Sequence, residues 1–149
     1  MKKYLSVLLM ALSIGMMSAC GNEPDTTTPV THPYVNELKI IDNVVGDGDK
    51  IINNHRVAVH YTGWIYDDAA ADKKGKKFDS SYDRNRPFVF SIGSKNVIDG
   101  WEKGLIGMKV GGKRTLIIPP TMAYGTKGAG SSVPANAALI FDIELLQAG

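Results

Sequence analysis

The sequence predicts an α+β fold in which an antiparallel sheet wraps around one short helix. Several short segments rich in β-branched and aromatic residues are separated by turn signals, which is typical of strands. One segment with apolar residues at helical spacing lies among them. Apolar residues make up 44% and charged residues 21% of the 149 residues, so one domain with its own core is expected.

Five segments have the composition of strands. In the last of them, Phe141 and Ile143 fall on one face while Asp142 and Glu144 fall on the other, which predicts that one face packs against the core. Turn signals such as the Gly-Asp-Gly-Asp after the first segment separate the strands. The expected strands cover residues 37–45, 56–66, 87–93, 113–118 and 138–147.

One helix is expected over residues 96–108. Val97, Ile98, Trp101 and Leu105 share one of its faces. Glycines within the segment keep this helix short.

A polar segment, residues 67–77, lies between the second and third predicted strands. It is rich in aspartate and lysine, which predicts a solvated hairpin tip.

The first 19 residues have the layout of a secretory signal peptide. Lys2 and Lys3 precede an apolar run from Leu5 to Met17, and the small residues Ser18-Ala19 follow. That run has 13 residues, whereas a membrane span needs about 20. Removing Lys2 and Lys3 from the 17 Lys+Arg leaves as many basic as acidic residues, of which there are 15, so nothing in the charge favours nucleic-acid binding.

Cys20, the only cysteine, follows this segment directly. The ending Met17-Ser18-Ala19-Cys20 resembles the lipobox of bacterial lipoproteins, in which the cysteine carries lipid, although Met17 stands where leucine is usual. Acylation of Cys20 would anchor the chain to the bacterial membrane on its extracytoplasmic side. By the same resemblance, Gly21 after the cysteine favours the outer membrane if the organism is Gram-negative.

Residues 20–36 are expected to form an extended tether between this lipid and a domain at residues 37–149. From Gly21 onward they contain three prolines, four threonines and almost no large apolar side chain. They show no helical periodicity that could support a dimerisation helix, so a monomer is expected. His32 lies in the tether and has no predicted role.

A phosphate-binding loop is only partly matched. Residues 107–113 fit its pattern as far as Lys113, but Arg114 stands where serine or threonine must hold magnesium. A strand follows instead of a helix, so no helix N-terminus would face a phosphate. Nucleotide binding is therefore not expected.

Metal-binding and hydrolytic motifs are also incomplete. His55 and His60 are five residues apart on a strand and its approach, so they face opposite sides and cannot bind one metal together. Ser80 and Ser81 have no neighbouring histidine to activate a hydroxyl.

Seven aromatic residues remain as candidates for a site or for the core. They come from separate segments of the chain. Two interpretations are open: these side chains fill the core, or they line an apolar pocket. These residues are Tyr61, Phe78, Phe88, Phe90, Trp101, Tyr124 and Phe141.

The order and neighbours of these aromatics resemble one family. The segments VHYTGW, KKFDSSYDRNRPFVFSIGSKNVIDGWEKGLIGMKVGGKR, AYG and ALIFDIELL together are similar to the FKBP-type peptidyl-prolyl cis/trans isomerases. The resemblance covers residues 57–146 strongly and residues 37–56 weakly. It implies a half-barrel of five or six antiparallel strands on one short helix, which agrees with the fold expected from the pattern.

The resemblance also implies a proline pocket and its rim. Arg84 is implied to hold Asp79, while Phe90 and Val133 are expected behind the pocket or in its lid. The residues implied for the pocket and rim are Tyr61, Phe78, Asp79, Phe88, Val97, Ile98, Trp101, Tyr124 and Phe141.

Such a pocket needs no nucleophile, metal or cofactor, because stripping water from a proline amide favours its twisted transition state. The resemblance implies proline-containing polypeptides as substrates, and macrolides as inhibitors. Two function classes stay open. One is an isomerase that assists the folding of exported proteins, and the other is a lipid-tethered, non-catalytic chaperone or peptide-binding module with the same groove.

The chain departs from the family pattern in two places. The connection from Trp64 to Lys77 is longer than in the smallest members and is expected to extend a hairpin tip beside the pocket. In the lid, residues 125–134, many relatives carry His and Pro-Gly where this chain has Ala129, Gly130 and Ser131. Macrolide affinity and the preference for the residue before proline therefore do not follow from the resemblance.

Overall fold

The structure, a computed structural model, describes residues 35–149. The predicted signal peptide at residues 1–19, the lipid attachment at Cys20 and nearly all of the 20–36 tether lie outside the described residues. Short 3-10 helices at Tyr82–Arg84, Pro120–Met122 and Gly125–Lys127 lie in the connections. The strands and the helix are β1 Lys39–Val44, β2 Arg56–Tyr66, β3 Lys74–Ser80, β4 Phe88–Ser91, α1 Asp99–Gly104, β5 Lys113–Ile118 and β6 Leu139–Ala148.

The six strands form one antiparallel sheet in the order β1-β5-β6-β2-β3, and β4 also pairs with β2. β2 is the central strand: β6 runs along one side of it, while β3 and β4 share the other side. The predicted α+β class, an antiparallel sheet of up to six strands with one short helix, is confirmed. Each of the five strands expected from the sequence is present; β2 and β5 have the expected bounds, and the ends of the other three shift by one to two residues.

β3 is the strand that the sequence pattern did not predict. A solvated hairpin tip was expected over residues 67–77, but the residues from Lys74 to Ser80 pair with β2. β3 contains three lysines and does not alternate apolar with polar side chains. Its conformation is therefore imposed by the hydrogen-bonding partner β2 and not by its own pattern.

The helix is shorter than the predicted range of residues 96–108. Ile98 is extended (φ −63°, ψ 150°), and its carbonyl accepts the N–H groups of Trp101 and Glu102, so α1 begins after it. Val97 and Ile98 therefore lie in the loop before the helix and not on a helical face. None of the described residues forms a helix with the length and apolar character that a membrane span requires.

The main core lies between the inner face of the sheet and α1. The alternation predicted for β6 is confirmed, because Phe141 and Ile143 are buried while Asp142 and Glu144 are half-buried on the outer face. The inner face of β2, α1 and the residue that follows it contribute further large members of this core. They include Val57, Val59, Tyr61, Trp101 and Leu105.

A smaller apolar cluster covers part of the outer face of the sheet. Val35 packs there with Ile117, Ala138 and Ile140, and Trp64 lies at its margin. Val35, which lies within the 20–36 segment expected to form a tether, therefore packs onto the sheet.

Arg114, which breaks the phosphate-loop pattern, connects three elements of the fold. Its side chain is almost fully buried, and its Nε and Nη2 donate to the two carboxylate oxygens of Asp42 at 2.6 and 3.1 Å. Its Nη1 donates to the carbonyl oxygens of Gly104 at 2.7 Å and Ile106 at 3.3 Å. These carbonyls at the end of α1 lack intrahelical donors, so Arg114 satisfies them and ties both α1 and β1 to β5.

We expect Arg114→Met to lower the free energy of unfolding by about 2–3 kcal/mol, because it leaves buried carbonyls without a donor and removes the bidentate pair with Asp42. Urea unfolding at neutral pH measures this change. The matched control is Lys113→Met on the neighbouring, exposed side chain, which should change stability by less than about 0.5 kcal/mol. Equal effects of the two substitutions would contradict this account of Arg114.

Candidate active site

Four of the seven candidate aromatic residues surround a fifth, Trp101. The indole lies edge-on to Tyr61 (ring centroids 5.0 Å apart, planes at 86°) and to Phe141 (5.3 Å, 82°). Phe88 and Phe90 contact the same indole at centroid distances of 6.1 and 5.6 Å. Three strands and the helix thus bring five rings together, with Trp101 at the centre.

The burial of the predicted site residues falls from the floor of this cluster to its rim. Trp101 and Phe141 are buried, at 4% and 3% exposure, whereas Tyr124 is 38% exposed. Half-buried residues that pack against the buried rings therefore connect them to the protein surface. Among the predicted site residues these are Phe78, Phe88, Val97 and Ile98.

Phe90 is a buried member of this cluster. It stacks on Phe88 with centroids 5.3 Å apart and planes at 26°. Phe90 therefore supports the wall formed by Phe88 without reaching the surface itself.

The loop before α1 presents a free main-chain donor at the rim. The Ile98 carbonyl is used by the helix, but the Ile98 N–H donates to no acceptor among residues 35–149. The Glu102 carboxylate accepts the N–H groups of Gly93 at 2.5 Å and Lys95 at 2.9 Å, which ties the helix to the turn that leads into Val97 and Ile98. Sequence reasoning missed this positioning contact of Glu102, because nothing in the local pattern identifies the backbone that a carboxylate will reach.

Asp79, Tyr61 and Arg84 form a hydrogen-bonded triangle beside the rings. The Tyr61 hydroxyl donates to Asp79 Oδ2 and accepts from Arg84 Nη2 at 2.9 Å. Arg84 Nη1 donates to Asp79 Oδ1, which completes the triangle. These contacts join the three residues in the way that the family resemblance implied for Arg84 and Asp79.

The triangle shifts the pKa values of its members. Burial and the hydrogen bond to Asp79 raise the pKa of Tyr61 to about 12, so its hydroxyl remains a donor at neutral pH. Burial alone would raise the pKa of Asp79, but the hydrogen bonds from Arg84 and Tyr61 outweigh it and hold that pKa below its ordinary value. The pKa of Tyr124 is raised by partial burial and by the negative charge of Asp79. At neutral pH the site therefore holds neutral hydroxyls and one charge-neutralised carboxylate.

A bulge explains why two consecutive residues of β3 both reach the site. In the β2–β3 pairing Gly63 lies opposite Asp79, and Trp64 lies opposite Lys77, so Phe78 is an extra residue on β3. Adjacent residues of a regular strand point to opposite faces, and a bulge removes this constraint locally. Phe78 can thus contact Phe141 (centroids 5.5 Å apart) while Asp79 meets Tyr61.

The lid segment closes on itself through its backbone. The N–H groups of Ala129 and Val133 each donate to the carbonyl of the other residue, at 2.9 and 3.1 Å. Val133, predicted as a lid contact, is buried and packs into the main core. Ser131 and Gly130 at the turn of this segment are exposed.

Ser81 does have a histidine neighbour, contrary to the expectation from the sequence. Its Oγ lies 2.8 Å from His60 Nδ1, because β2 and the end of β3 are adjacent in the sheet. Ser81 is fully buried, and its Oγ also accepts the Tyr61 N–H at 2.9 Å. A buried hydroxyl engaged in this way is a structural contact and not an accessible nucleophile. Within residues 35–149, no three His, Cys, Asp or Glu side chains come together as metal ligands.

We expect Asp79→Asn to destabilise the protein at neutral pH, because the triangle favours the charged carboxylate. Since the folded pKa of Asp79 lies below its ordinary value of 3.8, this stabilisation is present above pH 3.8 and is lost as the pH falls through the folded pKa. Urea unfolding of wild type and Asp79→Asn from pH 7 to pH 2 measures this effect. The difference between their free energies of unfolding should become smaller at the acidic end of the range.

The matched control for this series is Asp83→Asn, which removes an exposed pair with Lys77. It should change stability little at any pH. If the free energies of unfolding of wild type and Asp79→Asn differ by the same amount from pH 7 to pH 2, the charge of Asp79 does not contribute to the stability of the triangle.

The comparisons with known proteins agree with this geometry. The family model described as FKBP-type peptidyl-prolyl cis-trans isomerase matches residues 48–146. The FK506-binding protein of Neisseria meningitidis serogroup A is 46% identical over 110 residues, which cover 74% of this chain and 94% of the relative. FK506-binding protein 2B of Rhizopus delemar is 52% identical over 91 residues, but these cover 61% of this chain and only 41% of the relative.

A solved structure shows the same architecture. The crystal structure of AtFKBP13 superimposes with a TM-score of 0.65 at 38% sequence identity, covering 75% of this chain and 93% of that one. The matched family model spans the strands from β2 onward, the helix and all the residues of the aromatic cluster. The chain therefore belongs to the FKBP-type peptidyl-prolyl cis-trans isomerase family.

Proposed function

We propose that this protein catalyses cis/trans isomerisation of X-Pro bonds in exported polypeptides and so assists their folding outside the cytoplasm. The observation that carries the proposal is the ring cluster around Trp101. It is buried at its floor, reaches the surface at its rim, and has an unused main-chain donor at Ile98 among the described residues. These are the features that an apolar proline pocket requires.

The chemistry follows from the electronic structure of the amide. Resonance makes the planar X-Pro amide polar and sets a rotation barrier of about 18–20 kcal/mol. Without a catalyst the bond isomerises over tens to hundreds of seconds. Twisting the bond by 90° removes the resonance and makes the carbonyl less polar, so water stabilises the planar ground state more than the twisted transition state. A dry aromatic pocket removes that preference, and each tenfold acceleration requires about 1.4 kcal/mol.

The proposed roles follow the position of each residue. Trp101 forms the floor under the proline ring, and Tyr61, Phe88, Val97 and Phe141 form its walls. Phe78, half-buried at the rim, contacts the residue before proline. The Ile98 N–H and the Tyr124 hydroxyl donate to substrate carbonyls, and the high pKa of Tyr124 keeps that donor protonated. Arg84 and Tyr61 hold Asp79 in place by the hydrogen bonds described above.

We further propose that the protein works as a lipid-anchored monomer on the extracytoplasmic side of a bacterial membrane, the outer membrane if the organism is Gram-negative. Support comes from the signal layout of residues 1–19 and from Cys20 at its end. Residues 20–36 would then separate the lipid from the packed domain. In this arrangement the domain meets unfolded exported chains before their proline isomers have equilibrated.

Macrolides are proposed as competitors for the same pocket. The relatives of Neisseria and Rhizopus are named FK506-binding proteins, and this chain carries the same family's ring cluster. Its lid differs from many members at Ala129, Gly130 and Ser131, so its macrolide affinity should differ from theirs. Proline-containing polypeptides remain the proposed natural substrates.

We expect Trp101→Leu and Asp79→Leu each to lower kcat/KM for a Leu-Pro peptide by roughly tenfold or more, which corresponds to about 1.4 kcal/mol of transition-state stabilisation. A protease-coupled or NMR exchange assay measures the rate, and circular dichroism checks the fold. The matched control is Trp64→Leu, which removes the other tryptophan from the outer-face cluster and should leave turnover near the wild-type value.

The same assay decides between the two function classes. Peptide binding without acceleration in the wild-type protein would favour the lipid-tethered, non-catalytic chaperone or peptide-binding module. Full activity in both pocket variants would show that the pocket is assigned to the wrong residues.

We expect Cys20→Ala to release the protein from the membrane fraction of expressing bacteria, because it removes the proposed lipid attachment. Immunoblotting of separated membrane and soluble fractions measures this, and labelling with a fatty-acid analogue reports the modification itself. Thr26→Ala in the tether is the control and should remain in the membrane fraction. Unchanged membrane association of Cys20→Ala, without label on the wild type, would contradict the lipoprotein proposal.

A further inference from the structure

We propose that Gly63 is a positioning residue that sets the subsite for the residue before proline, by allowing Phe78 and Phe141 to meet directly above β2. This inference rests on the proposed function, because it refines the substrate preference of the same pocket. Gly63 has no side chain that could contact substrate, and its cross-strand neighbours are Asp79 and Phe141. It acts through the two rings.

The space at Gly63 is already filled by these rings. A Cβ atom built on Gly63 would lie 2.7 Å from Phe141 Cε1 and 2.8 Å from Phe78 Cζ. Real Cβ atoms essentially never approach other heavy atoms closer than 3.0 Å. The backbone of Gly63 does not lie in the left-handed region, so the glycine is required for close approach and not for an unusual conformation.

Of the two rings, Phe78 is the easier one to displace. Phe141 is 3% exposed and is held edge-on by Trp101 at 5.3 Å, within a close-packed core that resists displacement. Phe78 is only half-buried and lies on the edge strand β3. A methyl group at position 63 would therefore displace the tip of Phe78 more than Phe141.

The bulge in β3 makes the position of Phe78 depend on its contacts. Phe78 is the extra residue between Asp79, opposite Gly63, and Lys77, opposite Trp64, so it has no cross-strand partner of its own. In a regular strand the pairing register would fix the direction of its side chain. Here the edge-on contact with Phe141, at 85° and 5.5 Å, supplies that restraint, and the missing side chain of Gly63 makes the contact available.

The consequence concerns selectivity more than rate. Phe78 is proposed to contact the residue before proline, while Trp101, Tyr61 and Phe141 act on the proline ring and its amide. Moving Phe78 changes its contact with the substrate side chain before proline and leaves the floor of the pocket in place. Loss of one apolar contact of this kind typically changes discrimination by about tenfold or more.

The test compares two peptides that differ only in the residue before proline, Leu-Pro and Ala-Pro. Wild type and Gly63→Ala are assayed for kcat/KM with both peptides, and Kd is measured for both by NMR titration. We expect the Leu-Pro to Ala-Pro ratio to fall by about threefold or more in Gly63→Ala, which is less than the loss of a whole apolar contact because Phe78 is displaced and not removed. An unchanged ratio in a folded Gly63→Ala protein would overturn the inference.

Two further variants separate positioning from general destabilisation. Gly75→Ala lies on the same hairpin, where a Cβ would meet the Ile65 carbonyl oxygen at 2.9 Å and Asp67 Cβ at 3.0 Å, so it is similarly crowded but distant from the rings. It should lower stability and leave the ratio unchanged. Adding Gly63→Ala to Phe78→Leu should not change the ratio further, because Phe78, the ring that the added methyl group displaces, is then absent.

Failure of the inference can be told apart from failure of the proposed function. If wild type binds both peptides but accelerates neither, the proposed catalysis is wrong, and the Kd ratio still tests Gly63. If Gly63→Ala does not fold, the double variant gives the result, since Phe78→Leu removes one of the two rings that crowd the added methyl group. In that case a ratio equal to that of Phe78→Leu alone supports the inference, and a different ratio contradicts it.

Discussion

The packing of the Trp101 indole against rings from three strands is the contact on which both the fold and the site depend. It fills the space between α1 and the inner face of the sheet, where Tyr61, Phe88 and Phe141 meet it edge-on. Such edge-on contacts suit the charge distribution of aromatic rings and bury a large apolar area. The rings that stabilise the domain are also the ones proposed to remove water from the proline amide, so stability and proposed catalysis share one cluster.

Polar groups near this cluster are arranged so that none of them adds an unpaired charge. Asp79 is held by Arg84 and by the Tyr61 hydroxyl, and this arrangement lowers the pKa of the carboxyl group while it raises that of the phenol. An unpaired carboxylate in a partly dry site would be costly. The triangle therefore leaves no unpaired charge beside the rings, and the N–H of Ile98, which is proposed to bind substrate, donates to no acceptor among the described residues.

Irregular backbone segments position several of the candidate site residues. The bulge at Phe78 lets consecutive residues of β3 face the same cluster, and the short α1 leaves Val97 and Ile98 in a loop at the rim. Buried polar contacts then hold these irregular segments. Arg114 satisfies the carbonyls at the end of α1, and Glu102 ties the start of that helix to the preceding turn. Irregular backbone thus places the rim residues Phe78, Val97 and Ile98, while regular strands and α1 place the buried rings.

The sequence by itself determined the fold class, five of the six strands and the identity of the rings that gather at the site. Alternation of apolar side chains is a local property, and the family motifs name the ring positions one by one. Only the tertiary structure decided that Lys74–Ser80 is a strand, that the helix stops at Gly104, and that Ser81 lies beside His60. Each of these outcomes depends on a partner distant in the sequence, such as β2 for β3, and no local pattern of side chains encodes that partner.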